Sequence, residues 1–107
     1  MNNIFMKEEY INLALTNNET DNRFEMKVGD YTALIQYKKS HNRIKLIHTE
    51  VSPELEGKGA ATAIIEKTLD YIEKNNFKLI PVCPLVFAYI KRHPEWKRIV
   101  DESVTNL

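Results

Sequence analysis

The sequence is poor in cysteine, and this scarcity limits the kinds of stabilising site that the fold can contain. Cys83 is the only cysteine among 107 residues, so an internal disulfide is impossible and a secreted, disulfide-stapled fold is not expected. The three histidines, His41, His48 and His93, lie far apart and form no zinc-type spacing with Cys83. We therefore expect no metal site.

The sequence also lacks an excess of charge of either sign. Fifteen Lys and Arg residues balance fifteen Asp and Glu residues, which argues against a nucleic-acid partner, although a local patch can still exist. The longest apolar stretch, 79–90, contains two prolines and is too short to span a bilayer. The N-terminus lacks the basic start and apolar run of a signal peptide. We therefore expect a cytoplasmic protein with no membrane partner.

The chain has room for one domain, and it contains no repeats, low-complexity tracts or Pro/Gly linkers. Residues 1–22 are interpreted as an N-terminal extension, with a short helix or edge strand around Ile11–Leu15 and a polar loop over 16–22. Residues 23–107 are expected to form the domain itself.

Short strands open this domain. Apolar residues alternate with polar ones over 24–28, and further strand-like runs cover 31–37 and 43–51. Gly29-Asp30 is a turn typical of hairpins, and the polar segment 38–42 joins the second run to the third. Three consecutive strands with tight connections predict an antiparallel meander.

The hydrophobic period then changes to that of a helix. Apolar residues recur at helical spacing over 61–72, Asn75-Asn76 ends this helix, and 77–82 is predicted to be a buried strand. A strand, a helix and a strand in this order normally form a right-handed crossover with parallel strands. A short final helix is predicted from Pro84 to Arg92, with Pro94 as its stop. The predicted fold class is α/β.

A glycine-containing loop precedes the long helix and is the first candidate site. Glycines allow a sharp turn and a close approach to a ligand, and the N–H groups at a helix start favour an anion. The loop could therefore hold a pyrophosphate, although it matches neither the Walker nor the dinucleotide pattern. The alternative is a helix start with no ligand. The loop is Glu56-Gly57-Lys58-Gly59-Ala60-Ala61.

Cys83 is the second candidate because it precedes Pro84 at the boundary of the last helix. A thiol at the positive end of a helix dipole is stabilised as the thiolate. The alternative is an inert cysteine buried among apolar neighbours.

His48 is the third candidate, at the polar end of the strand that runs into the glycine loop. Strict alternation places Ile44, Leu46 and His48 on one face. A histidine that faces Cys83 could activate the thiol or carry a proton, whereas a lone histidine on a strand is more often structural.

Four motifs together resemble the small, minimal branch of the GCN5-related N-acetyltransferases. They occur in the expected order and spacing within Arg23–Val100, and residues 1–20 lie outside the resemblance. The motifs are His48-Thr49-Glu50-Val51, Glu56-Gly57-Lys58-Gly59-Ala60-Ala61, Ile80-Pro81-Val82-Cys83-Pro84-Leu85-Val86 and Tyr89-Ile90-Lys91-Arg92-His93-Pro94-Glu95-Trp96.

The resemblance implies a meander that leads into a crossover whose parallel strands splay apart to admit acetyl-coenzyme A as cosubstrate. It implies that Gly59 and Ala61 match fixed positions of the superfamily's pyrophosphate motif, from which Glu56 departs. Leu85 and Trp96 stand where the branch usually has Phe and Tyr.

The same resemblance suggests roles for single residues. It gives Cys83 the position of the branch's proposed catalytic cysteine and His48 that of the accompanying histidine. It places the pantetheine arm on the backbone near Glu50 and Val51, and the pyrophosphate on Gly57–Thr62. Tyr89 is a candidate proton donor near the thioester, and otherwise a core tyrosine with its hydroxyl at the edge.

The resemblance therefore implies an acyltransferase that moves acetyl from acetyl-coenzyme A to an unidentified amine. Two other classes of protein stay open. A non-catalytic coenzyme A sensor would keep the glycine loop but would need neither Cys83 nor His48. A protein-interaction module that has lost the coenzyme would use the open groove for a peptide.

Overall fold

The computed structural model describes residues 7–107, which form three α-helices and a five-stranded sheet. In chain order the elements are α1 (Glu8–Ile11), β1 (Thr16–Asn18), β2 (Arg23–Val28), β3 (Tyr31–Ser40), β4 (Arg43–Val51), a 3₁₀ helix (Pro53–Leu55), α2 (Ala60–Lys74), β5 (Lys78–Pro81), α3 (Pro84–Arg92) and a second 3₁₀ helix (Pro94–Ile99).

The sheet confirms the predicted combination of a meander and a crossover. Its strands lie in the order β1-β2-β3-β4-β5, and the first three pairs are antiparallel. β4 and β5 are parallel, with α2 between them in sequence. Gly29 has a φ of 63°, a conformation that suits glycine in the turn between β2 and β3.

The prediction of a loop over 16–22 was wrong for its first three residues. Thr16–Asn18 forms the edge strand β1 and pairs with Arg23–Glu25. Side-chain contacts hold this polar strand in place, because Asn17 accepts a hydrogen bond of 2.7 Å from the Tyr37 hydroxyl. Sequence patterns missed the strand because its order comes from these tertiary partners rather than from apolar alternation.

The core lies between α2 and one face of the sheet, which we call the inner face. β2, β3 and β4 present fully buried side chains to it, among them Phe24, Ile35 and Leu46. From α2, Ile64, Leu69 and Ile72 are buried in the same cluster. The opposite, outer face carries polar and charged side chains, in line with the alternation of a half-buried sheet.

A β-bulge interrupts the pairing of β3 with β4. Gln36 pairs with His48 and Tyr37 with Leu46, so Ile47 is the additional residue on β4. Beyond Leu46 the partner β5 also departs, since its parallel register covers only Arg43–Leu46 against Lys78–Pro81. The second half of β4 therefore borders a gap between the two parallel strands, as the resemblance implies.

The C-terminal residues continue the sheet on the far side of β5. Leu79 and Val100 form a parallel bridge, and Asp101 N–H donates to the Leu79 carbonyl at 2.9 Å. Within residues 7–107, no helix is both long and apolar enough to cross a bilayer.

Candidate active site

The glycine loop makes two left-handed turns directly before α2. Gly57 has a φ of 73° and Gly59 a φ of 85°, values that residues with a side chain rarely adopt. Gly59 is the N-cap, and its carbonyl accepts the Ala63 N–H at 3.1 Å. The N–H groups of Ala60, Ala61 and Thr62 have no carbonyl four residues earlier within the helix. The loop thus places backbone donors and the positive end of a 15-residue helix at one point.

The side chains of this loop are arranged for access. Glu56, Gly57 and Lys58 are exposed, whereas Ala60 is buried and anchors the helix start. No acidic residue lies in the first turn of α2. An anion at the loop would therefore face neither a side chain on Gly59 nor a carboxylate of that turn.

An N-terminal segment that the sequence patterns did not connect with the site packs against the loop. The buried Tyr10 donates its hydroxyl to the Lys58 carbonyl at 2.9 Å, and Lys67 on α2 donates to the Ile11 carbonyl at 3.0 Å. The stem carbons of Lys7 lie 3.4–3.7 Å from the position that a Cβ on Gly59 would take. Residues 7–11 therefore form one wall of the glycine loop and bring a lysine to it.

Cys83 lies where β5 ends and α3 begins, as predicted. Its φ of −61° and ψ of 126° are extended, and its carbonyl accepts the Phe87 N–H at 2.9 Å. Its own N–H donates to the Leu46 carbonyl at 2.7 Å, the last link between β4 and β5 before the gap. The side chain is only 2% exposed, so Cys83 is buried at the inner end of the gap.

Thr49, and not His48, contacts Cys83. Thr49 Oγ1 lies 3.3 Å from Cys83 Sγ, and both side chains are buried. Placing His48 on the face of Ile44 and Leu46 was wrong, because the bulge at Ile47 reverses the alternation. A bulge of this kind cannot be read from the sequence pattern, and Thr49 was missed for the same reason.

His48 lies on the outer face next to Glu50. Its side chain is 54% exposed, and Nε2 lies 3.4 Å from Glu50 Oε1. Both residues belong to the half of β4 that borders the gap. Val51, which is half-buried, pairs with Ala33 and ends the strand. The structure thus brings Glu50 and Val51 to the gap edge and places a histidine–carboxylate pair on its outer side.

Tyr89 points into the protein rather than toward the gap. It is 3% exposed and donates its hydroxyl to Glu66 on α2, a carboxylate that also accepts the Trp96 Nε1–H at 2.9 Å. Burial, together with the hydrogen bond to Glu66 and its negative charge, raises the pKa of Tyr89 far above its ordinary value of 10.0. This environment suits a core tyrosine that ties α3 to α2.

The described part of the chain contains no group of three or more His, Cys, Asp and Glu side chains that could hold a metal ion.

The comparisons with known proteins agree with this geometry. Residues 23–99 match the family model described as GCN5-related N-acetyl-transferase. The fold matches the NMR solution structure of a GCN5-like protein from Staphylococcus aureus, with a TM-score of 0.63 and 23% sequence identity, over 85% of this chain and 90% of that one. No curated protein matches the sequence.

Proposed function

Because the chain belongs to the GCN5-related N-acetyltransferase family, we propose that it transfers an acetyl group from acetyl-coenzyme A to an amine. The observation that carries this proposal is the glycine loop beside the gap in the sheet. Two left-handed glycines precede α2, and the chain reaches them from the half of β4 that β5 leaves unpaired. A backbone anion site next to an open strand edge suits a ligand with both a pyrophosphate and an extended arm.

The glycine loop is the proposed pyrophosphate site. The free N–H groups of Ala60, Ala61 and Thr62 and the helix dipole favour an anion. Gly57 and Gly59 allow its close approach because they carry no Cβ. Lys7, whose stem lies against Gly59, adds a cation to the wall of the site. Lys58 is exposed and contributes charge without a fixed contact.

The second half of β4 is the proposed site of the pantetheine arm. The register of β5 ends at Leu46, so the backbone of β4 from Ile47 to Val51 pairs with β3 alone among the strands of residues 7–107. Backbone groups on an unpaired strand edge seek partners, and the amides of an extended arm supply them. We assign Glu50 and Val51 to this contact.

Acetyl-coenzyme A supplies an acyl group activated as a thioester. The amine nitrogen must lose a proton as it forms the C–N bond, and coenzyme A leaves as a thiolate that takes a proton from water once the C–S bond breaks. His48 with Glu50 is the proposed proton acceptor for the amine, because this pair is exposed on the outer side of the gap.

Cys83 is the proposed catalytic residue at the inner end of the gap. Cys83 is the N-cap of α3, and its sulfur lies 3.3 Å from the Thr49 hydroxyl oxygen. In the first route the Cys83 thiolate takes the acyl group, releases coenzyme A and then passes the acyl group to the amine. The second route is a direct attack of the amine on the thioester, and the burial of Cys83 without a contacting base supports it. Cys83→Ala separates these routes, since only the first requires the sulfur.

The experiment that tests the function has two stages. A ligand at a hundred times its dissociation constant stabilises a fold by about 2.7 kcal/mol, which for this length raises Tm on the order of ten degrees. No shift with millimolar acetyl-coenzyme A would leave only the interaction-module function. A shift without release of free coenzyme A in the presence of an amine mixture would indicate a sensor.

A further inference from the structure

A basic groove crosses the outer face of the sheet, although the chain as a whole carries no net charge. The groove is a cavity of about 480 Å³ lined chiefly by side chains of β3 and β4, with Ile80 of β5 and Ser103 of the C-terminal segment. Its cations are Lys38, Lys39, Arg43 and Lys45.

The register of the sheet lines up these charges. Lys38 pairs directly with Lys45, which in turn pairs with Ile80 on β5. Both lysines are exposed, and neither forms an ion pair with a carboxylate of residues 7–107. Like charges directly opposite each other on a sheet are destabilising. The fold therefore maintains a repulsive pair where two neutral residues would be more stable, and a bound anion would relieve this repulsion.

The other cations have partners of their own. Arg43 Nε binds Asp101 at 3.0 Å, and Lys39 Nζ lies 4.9 Å from the centre of the Phe77 ring. The charge available to a ligand is thus concentrated on Lys38 and Lys45.

The basic groove is adjacent to the gap in the sheet. It shares Ile80 and Ser103 with a second cavity of about 590 Å³ that reaches Val82 and Pro84, on either side of Cys83. On β3, Gln36 pairs with His48 and lies two residues from Lys38 on the same face. At about 3.4 Å per residue along β3, the pair of Gln36 and His48 lies roughly 7 Å from the pair of Lys38 and Lys45.

We propose that this basic groove is the acceptor site and that the acceptor is an acidic polypeptide segment. This inference rests on the proposed acetyltransferase function. The acceptor's amine lies at His48, and its carboxylates, about two extended residues away, bind Lys38 and Lys45. A polypeptide fits better than a small metabolite, because the groove runs along exposed side chains and offers an apolar continuation at Val82 and Pro84.

Binding is tested without acyl transfer. The probe is a hexapeptide with glutamates at positions three and four and an N-terminal amine that is already acetylated. In an NMR titration we expect shifts of the amides of Lys45, Ile80 and Ser103 that weaken as salt rises. The Lys38→Gln/Lys45→Gln variant should lose these shifts, and a Lys27→Gln/Lys97→Gln variant should keep them. Equal shifts with a glutamine-substituted peptide would overturn the proposal.

Transfer supplies the second measurement. With the free-amine peptide, the Lys38→Gln/Lys45→Gln variant should show a KM about fivefold to tenfold higher, at unchanged kcat. Its KM for the glutamine peptide and its thermal shift with acetyl-coenzyme A should not change. If the wild type fails to bind acetyl-coenzyme A, the proposed function is wrong. The NMR titration still shows whether the basic groove binds an acidic peptide.

Two further probes distinguish other anions. If O-phosphoethanolamine shifts the same amides and is acetylated as well as the peptide, the polypeptide assignment is wrong. A six-nucleotide single strand that binds the groove more tightly than the acidic peptide would overturn the proposal in favour of nucleic acid.

Discussion

Thr49 Oγ1 lies 3.3 Å from Cys83 Sγ, and this contact joins the half of β4 after the bulge to the residue that immediately precedes α3. Both side chains are buried, so water cannot replace the hydroxyl as a partner of the sulfur. The bulge at Ile47 turns the threonine of the first motif inward and the adjacent histidine outward, and this makes the contact possible.

Thr49→Val should slow alkylation of Cys83 by iodoacetamide at pH 7, because it removes the hydroxyl 3.3 Å from Sγ, which can donate a hydrogen bond to the thiolate that reacts. A hydrogen bond to a charged group is worth about 1.5–3 kcal/mol, which corresponds to a tenfold or greater change in rate. Thr49→Ser keeps the hydroxyl and should react like the wild type. Equal rates in all three proteins would show that the contact does not activate the thiol, and labelling seen only on unfolding would make Cys83 a packing residue.

Gly59→Ala should weaken binding of acetyl-coenzyme A, since the new Cβ fills space beside the helix start, in van der Waals contact with the Lys7 stem at 3.4 Å. The left-handed backbone adds a strain of about 1–2 kcal/mol. Gly29→Ala is the matched control, because Gly29 also has a positive φ but no neighbour within 4 Å of a Cβ. We expect both variants to be destabilised and only Gly59→Ala to lose affinity in calorimetric titration. Equal affinities would contradict the backbone cradle.

Lys7→Gln should raise the Kd for acetyl-coenzyme A by roughly threefold to tenfold at low salt, and the effect should shrink at high salt because exposed charges are screened. The reason is the position of the Lys7 stem along Gly59. Acetyl-pantetheine, which has no phosphate, serves as control ligand and should bind both proteins equally. A larger effect from Lys58→Gln than from Lys7→Gln would assign the cation to the loop itself.

Glu66→Ala should destabilise the fold strongly, because the Tyr89 hydroxyl and the Trp96 N–H lose a buried acceptor. Each unsatisfied group costs about 1–3 kcal/mol. Tyr89→Phe should cost less, about 1 kcal/mol, and should leave the rate of acyl transfer nearly unchanged, because the hydroxyl is directed at Glu66. Denaturant unfolding and steady-state kinetics measure the two effects. A hundredfold loss of kcat in a folded Tyr89→Phe protein would restore the proton-donor role.

Asp101→Asn should make stability less sensitive to acid. Hydrogen bonds from Ser103, and then the bond to Arg43, lower the pKa of Asp101 from 3.8 to about 2. A lowered pKa stabilises the folded state above the ordinary pKa, and this contribution is lost as the pH falls from about 4 to about 2. Wild type should therefore be more stable than the variant at pH 6, with the difference closing near pH 2. Glu102→Gln, an exposed neighbour with the same charge change, should show no such closing difference.

Local patterns were sufficient to predict the long elements. The meander over β2, β3 and β4 and the helices α2 and α3 each have a regular apolar period or a proline and glycine boundary, so their positions follow from neighbouring residues alone. The same holds for the glycine loop, because a helix start after Gly57 and Gly59 is a local property of the backbone. Cys83 could be placed before α3 for this reason too.

Tertiary structure decided which side chains meet. A single additional residue at Ile47 exchanges the faces of His48 and Thr49, and its insertion depends on how β3 pairs, which no pattern within β4 records. The approach of Lys7 to Gly59 joins residues 52 positions apart in the chain, and it depends on the packing of Tyr10. Lys38 and Lys45 become one charged pair only through the register of two strands. Side-chain contacts of this kind depend on strand register and on packing across the whole domain, whereas the position of each helix and strand depends on the residues within it.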